Sequence, residues 1–198
     1  VYIDPPFNTG VVQRRDRIKV TKDTEGKRKG FAGRTYAVER TASASFPDRH
    51  DDYIAFIVER VREAIRCTTD DASLFIHVDP RESHYVKVAL DGVFGRASFM
   101  NEIVWSYDYG GRSKKRWSQK HDVILWYARN PKRYVYRYED IDRIPYMAPK
   151  LAGAEKAARG KTPTDVWWQT IVPTRSAEKT GYPTQKPLAI LERIVCVH

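Results

Sequence analysis

Ser73-Leu74-Phe75-Ile76-His77-Val78-Asp79-Pro80-Arg81-Glu82 contains the end of one secondary-structure element and the start of another. Ser73–Val78 is a continuous, mostly apolar run bounded by polar residues, the pattern of a strand covered on both faces. Asp79 is placed as a helix N-cap, Pro80 as the first helical residue and Glu82 as the reciprocal member of a capping box. The helix that follows carries Tyr85, Val86, Ala89, Leu90, Val93 and Phe94, and Gly95 is placed to stop it. Upstream, Ile54, Ile57, Val58, Val61 and Ile65 recur at helical spacing over residues 51–66, with Glu59, Arg60, Arg62 and Glu63 on the other face. Further upstream, Val1, Tyr2 and Ile3 form a short apolar run that ends at Asp4, because Pro5 and Pro6 cannot continue a ladder. Strand, helix, strand and helix in succession predict an α/β fold with right-handed crossovers.

The rest of the chain is less regular. Residues 102–107, 122–127 and 134–138 are three strand candidates without an intervening helix, which predicts an antiparallel hairpin edge on a mostly parallel sheet. Residues 145–163 read as a basic loop, residues 166–172 as a short strand, and residues 187–197 as a helix. From Asn8 to about Phe46 the sequence is polar, punctuated by glycine and rich in cations. Arg14, Arg15, Arg17, Lys19, Lys22, Lys27, Arg28, Lys29, Arg34 and Arg40 all fall there, and low apolar content predicts a mobile basic loop.

Composition agrees with a folded, basic protein. Of 198 residues, 41% are hydrophobic and 12% aromatic, enough for a core. Lys and Arg outnumber Asp and Glu by 35 to 25, a formal charge of +10, which points to a polyanionic partner and favours nucleic acid. No run approaches the roughly 18 apolar residues of a membrane span and no basic stretch leads into an apolar one, so the chain reads as soluble and cytoplasmic. Cys67 and Cys196 lie far apart in helical patterns and are expected to be buried thiols rather than a disulfide or zinc site. The chain opens on Val1 inside a strand-like run and closes on Val195-Cys196-Val197-His198 without a helix stop, so it is expected to be a fragment.

Asp4-Pro5-Pro6-Phe7, directly after a strand, carries the most chemistry. An exocyclic amine on a nucleobase is a poor nucleophile because its lone pair is delocalised into the ring. Two acceptors held close together draw that nitrogen toward tetrahedral geometry. The Asp4 carboxylate and the Pro5 carbonyl can each accept one N–H, with Pro6 fixing the turn and Phe7 stacking on a base flipped out of a duplex. A surface turn after a strand would account for the same four residues without any chemistry.

Tyr2-Ile3-Asp4-Pro5-Pro6-Phe7-Asn8-Thr9-Gly10 resembles the catalytic strand and turn of the β-class DNA amino-methyltransferases, close to type III modification subunits, in which Tyr is commoner than Phe at position 7. Further matches follow in the family's order. Ser73-Leu74-Phe75-Ile76-His77-Val78-Asp79, His84-Tyr85-Val86-Lys87 and Asp91-Gly92-Val93-Phe94-Gly95 resemble the next strand and helix. Asn101-Glu102-Ile103-Val104-Trp105 and Lys120-His121-Asp122-Val123-Ile124-Leu125-Trp126-Tyr127 resemble the hairpin. Asp165-Val166-Trp167, Tyr182-Pro183-Thr184-Gln185-Lys186-Pro187 and Leu191-Glu192-Arg193-Ile194 resemble the approach to the cofactor site.

The resemblance implies a Rossmann-like methyltransferase sheet, here partial, and S-adenosylmethionine as methyl donor. It implies catalytic Asp4, Pro5, Pro6 and Phe7, cofactor contacts from Asp4, Thr184, Gln185 and Lys186, and transfer to adenine N6 in a specific sequence of duplex DNA by base flipping. Lys186 would suit the cofactor's carboxylate. The family's glycine-rich cofactor loop would follow the helix near Pro187, and Gly110-Gly111 do not replace it because no helix pattern follows, so the isolated 198-residue chain is expected to be inactive. The expected organisation is a partial catalytic domain over residues 1–198, with a DNA-contacting loop at 8–49 and a target-recognition insert at 139–164. Arg14, Arg15, Arg17, Lys27, Arg28 and Lys29 would meet phosphates. The implied setting is a bacterial restriction-modification system, near the nucleoid, with a restriction subunit or second modification subunit as protein partner. The alternatives are a cytosine-N4 methyltransferase, since the same turn activates that amine, and a DNA-binding remnant without catalysis. Cytosine-C5 chemistry is disfavoured because neither cysteine lies in a Pro-Cys turn. Helix capping accounts for Asp79 without function, His77 and His84 lack metal-ligand partners in sequence, and one of Trp167 and Trp168 should face the core.

Overall fold

The structure, a computed structural model, describes residues 1–30, 33–173, 176–182 and 184–198, apart from the side chains of residues 15, 17, 44 and 46. Its elements are β1 (Tyr2–Ile3), β2 (Val11–Lys22), β3 (Arg28–Lys29), β4 (Thr35–Asp48), α1 (Tyr53–Arg66), β5 (Ser73–Val78), α2 (Pro80–Phe94), β6 (Phe99–Ser106), β7 (His121–Ala128), α3 (Pro149–Ala152), α4 (Ala154–Arg159), β8 (Val166–Trp168) and α5 (Leu188–Val195). They divide into two compact units, one of Val1–Phe7 with Asp52–His198, the other of Asn8–Asp51.

In the larger unit the described strands form a five-stranded sheet in the order β1-β5-β7-β6-β8. β1 is parallel to β5 and β8 to β6, while β7 is antiparallel to both of its neighbours, so four of the five strands run in one sense. This is the α/β sheet with an antiparallel hairpin that the sequence predicts; β8 lies outside the hairpin and ends the sheet. Alternation along β5 and β7 then sorts side chains between two cores. Leu74, Ile76, Val78, Val123, Leu125 and Tyr127 pack with Tyr53, Ile57, Val61, Val86 and Leu90 of α1 and α2. Phe75, Ile124 and Trp126 pack with Ile103, Trp105, Trp167, Ile190 and Ile194 on the side of α5. Each aliphatic side chain so buried contributes about 1.5–3 kcal/mol. Burial on both faces is why β5 reads as an unbroken apolar run.

The helix signals hold locally. Asp79 caps α2 through the Arg81 N–H at 2.8 Å, and Gly95 ends it at a φ of 81°, a region that favours glycine. Asp52 caps α1 through the Ala55 N–H.

Other expectations are corrected. Residues 134–138 form no strand: β7 already pairs on both sides, so no edge is open to them, and Tyr134 and Tyr136 instead lay their rings against Trp126, each at 5.7 Å. Residues 145–163 contain α3 and α4, closed by an Ile144–Lys161 bridge. Only Val166–Trp168 of residues 166–172 is strand. Cys67 and Cys196 are exposed, because each is the C-cap of its helix, beyond the buried stripe. Of the tryptophan pair, Trp167 faces the core and Trp168 is 72% exposed.

The smaller unit also differs from expectation, being a β-ribbon rather than a loop. β2 and β4 pair from Val11↔Asp48 to Lys22↔Tyr36, with Thr41 left out at a bulge beside Arg17, and β3 pairs with β4 at the tip. Such a ribbon is held by backbone hydrogen bonds and needs little buried apolar surface, so low apolar content gave no sign of it. The buried Asp48 carboxylate closes its base, accepting from the backbone N–H groups of Asn8 and Thr9 and from the Thr9 hydroxyl. Burial raises the Asp48 pKa, but the bonds from Thr9, Gln13 and Asn8 outweigh it and hold the carboxyl below its ordinary range.

Candidate active site

Asp4 follows β1 at the carboxyl end of the sheet, the usual place for ligands in open α/β folds. Pro5 and Pro6 make the turn rigid, and buried Tyr53 braces it by donating its hydroxyl to the Pro6 carbonyl at 2.7 Å. The Pro5 carbonyl takes no hydrogen bond among the described residues. Lys186 reaches in from the segment before α5, its Nζ 2.9 Å from Asp4 Oδ1 and 4.6 Å from the centroid of the Phe7 ring. The side chain expected at a cofactor carboxylate is here paired with Asp4, and a cation over the Phe7 face adds to that contact.

Beneath Phe7 lies a buried polar network. The Phe7 ring is tilted on His77 with centroids 5.5 Å apart, and Trp105 also meets His77, edge-on at 5.5 Å. His77 is 0% exposed. Its Nδ1 is 2.6 Å from the Tyr2 hydroxyl and its Nε2 3.1 Å from Asp122 Oδ2. A neutral ring protonated at Nε2 satisfies both contacts, with Tyr2 donating to Nδ1 and Nε2–H donating to the carboxylate. Tyr107 donates to the other Asp122 oxygen at 3.3 Å. Burial lowers the His77 pKa, against the pull of Asp122, and burial raises those of Tyr2 and Tyr107, whose hydroxyls stay protonated. Tyr2, His77, Trp105 and Asp122 all lie within the motifs that resemble the family, but the sequence assigns none of them a chemical role. The available signal was a histidine inside an otherwise apolar strand.

Two cavities adjoin the turn. One, of about 450 Å³, is lined by Phe7, Trp105, Tyr107 and Asp122 among others; the second, of about 470 Å³, is lined by Tyr2, Asp4, Glu178 and Leu188. Both are of small-molecule size, and Thr184, Gln185 and Lys186 wall both of them. The Gln185 amide is committed to its own loop, accepting from the Thr180 N–H and donating to the Glu178 carbonyl. Glu178 in turn accepts the Leu188 N–H at the start of α5. Pro183 lies outside the described residues.

A sequence profile described as DNA methylase (N6_N4_Mtase) matches residues 1–197. The chain belongs to this DNA methylase family. Among curated relatives, type II methyltransferase M.ScaI of Streptomyces caespitosus is 34% identical over 48% of this chain and 34% of its own length. The EcoP15I Mod subunit, a type III restriction-modification enzyme of Escherichia coli, is 26% identical over 70% of the chain and 22% of its own. DNA adenine methyltransferase YhdJ of Escherichia coli K12 is 24% identical over 74% and 52%. The chain thus spans about a third of M.ScaI, under a quarter of the Mod subunit and about half of YhdJ. In this family member, Asp4, Pro5, Pro6, Phe7 and Lys186 meet at one point, with Thr184 and Gln185 on the walls beside them. Arg14, Lys27, Arg28 and Lys29 lie exposed on the ribbon, and the side chains of Arg15 and Arg17 lie outside the described residues. No helix of the described residues is long and apolar enough to cross a membrane.

Proposed function

We propose that this chain is the catalytic part of an enzyme that methylates adenine N6 in duplex DNA. The observation that carries the reading is the position of the Asp4-Pro5-Pro6-Phe7 turn between two cavities that share the Thr184-Gln185-Lys186 wall. The cavity beside Phe7 takes the flipped base. There the Phe7 ring stacks on the base, and Asp4 and the Pro5 carbonyl accept its two amine N–H bonds, localising the lone pair on nitrogen. The cavity beside Asp4 suits S-adenosylmethionine: a carboxylate stands near the place for a cationic sulfonium, and Lys186 is within reach of both Asp4 and an amino-acid carboxylate. Bound there, S-adenosylmethionine would supply an activated methyl group, its sulfur leaving as a neutral thioether when the N–C bond forms and one amine proton leaving after the methyl arrives. Thr184 and Gln185 hold the shared wall, and no covalent intermediate with the protein is required.

The ribbon of the smaller unit is the proposed nonspecific DNA contact, and residues 139–164 with α3 and α4 the proposed target-recognition insert. A restriction or second modification subunit is the protein partner this reading implies, in the cytoplasm where the bacterial chromosome lies. The first test incubates the whole enzyme that contains these residues with methyl-labelled S-adenosylmethionine and unmethylated bacterial DNA and analyses the nucleosides. Labelled N6-methyladenine is expected. N4-methylcytosine would transfer the assignment to the other amine, and an unlabelled product with retained DNA binding would leave a binding remnant.

The ribbon has its own test. Changing Arg14, Arg15, Arg17, Lys27, Arg28 and Lys29 to Ser should weaken binding to target and unrelated duplexes alike. The slope of log affinity against log salt should fall by about 0.9 for each phosphate no longer neutralised. An unchanged slope would make the ribbon a bystander.

A further inference from the structure

β6 and β7 are hydrogen-bonded neighbours with Ser106 opposite His121. Strands so paired usually join through about two to five residues. Here the connection runs through residues 107–120, and it is built rather than slack. The Tyr107 N–H donates to the Lys120 carbonyl at 3.1 Å, and Lys120 Nζ donates to the Tyr109 carbonyl at 2.6 Å. Arg112 pairs with Asp108, and the Ser113 N–H donates to the Ser118 hydroxyl. At its tip stand Lys114, Lys115 and Arg116, none of which pairs with a carboxylate of the described residues. Beside them Trp117 is 98% exposed, and no ring or cation of the described residues packs on it.

A free indole is costly to leave in water and is placed by three cations, unpaired among the described residues, where a polyanion would be drawn in. The root of the loop is at the candidate site: Tyr107 and Tyr109 line the same cavity as Phe7. Resting on the methyltransferase reading above, we propose that residues 107–120 form a second DNA contact at the mouth of the base cavity. In it Trp117 stacks on bases left unstacked by flipping, and Lys114, Lys115 and Arg116 hold the adjoining phosphates. Flipping opens a gap in the stack, and a flat aromatic face set among cations matches bases flanked by phosphates in a way that an acidic protein surface does not.

The test measures binding of the full chain to two duplexes of one sequence, one intact and one with a single abasic site that leaves its partner base unstacked. Trp117→Ala should weaken binding to the abasic duplex about tenfold, and to the intact duplex less, while Trp117→Phe retains most of the affinity. Changing Lys114, Lys115 and Arg116 to Ser should lower the salt slope on both duplexes by about 0.9 for each phosphate released. Binding of S-adenosylmethionine, followed by calorimetry, should stay at the wild-type value in every variant. Wild-type affinity of Trp117→Ala for both duplexes would overturn the stacking role, as would an equal loss against heparin, which has no bases. A wild-type chain that binds no duplex would overturn the methyltransferase reading as well. Methyl transfer with unaltered variants would overturn the loop's DNA role alone.

Discussion

Replacing Asp4 by alanine is expected to lower methyl transfer by about 10²–10³-fold, in the range seen when one preorganised group facing developing charge is removed. Duplex affinity should change by no more than a few fold. The amine gains positive character as it is methylated, and a fixed carboxylate opposes that charge only at the reacting nitrogen, so its effect appears in the transition state and not in binding. Lys186 now holds this carboxylate in place at 2.9 Å. Asp4→Ala therefore also frees the lysine, and a second substitution separates the two effects. Asp4→Asn keeps the shape and one acceptor oxygen but loses the charge and with it the ion pair. It should fall between wild type and alanine in single-turnover incorporation of labelled methyl. Wild-type turnover in Asp4→Ala would remove the residue from the chemistry.

How much of this was legible in sequence follows from which interactions are local. Asp79, Pro80 and Gly95 act within one turn of α2, and the apolar run at Ser73–Val78 reports burial on both faces without needing its partners. Those elements read true. The ribbon did not, because pairing of Val11–Lys22 with Thr35–Asp48 depends on a ladder between strands that are mostly polar and exposed. Residues 134–138 misled in the opposite direction: alternating tyrosines fit a strand, yet β7, the strand just before them, is already paired with β5 on one side and β6 on the other. At the site, Asp4 and Phe7 were visible because the diproline turn is contiguous. The side chains that support them are not. His77 meets Asp122 across two paired strands, and that meeting depends on a register that neither segment encodes alone.

That register makes His77 the residue whose loss should cost the fold most near the site. His77→Ala leaves the buried Asp122 carboxylate with Tyr107 as its remaining side-chain partner, leaves the Tyr2 hydroxyl without its acceptor, and opens a void beneath Phe7. Removing one partner of a buried hydrogen bond costs about 1–3 kcal/mol, and more where the group left behind is a carboxylate, a large share of the total stability of about 5–15 kcal/mol that domains possess. His77→Gln, which keeps an amide donor and acceptor, should recover part of the loss. The pH dependence carries the sign that tests the assignment. Burial lowers the folded-state pKa of His77 below its unfolded value near 6.5, so the unfolded chain binds a proton that the native ring refuses. Stability is then full above about pH 6.5 and falls as pH drops below it. His198, also lowered by burial, adds to the same slope and persists in the variant. Urea unfolding at pH 7.5 and 5.5 should therefore show a steeper loss for wild type than for His77→Ala. A smaller loss in wild type than in His77→Ala would mean that His77 is already protonated in the native state at pH 7.5. The contact with Asp122 would then be a full ion pair, and Tyr2 could not donate to Nδ1 as assigned.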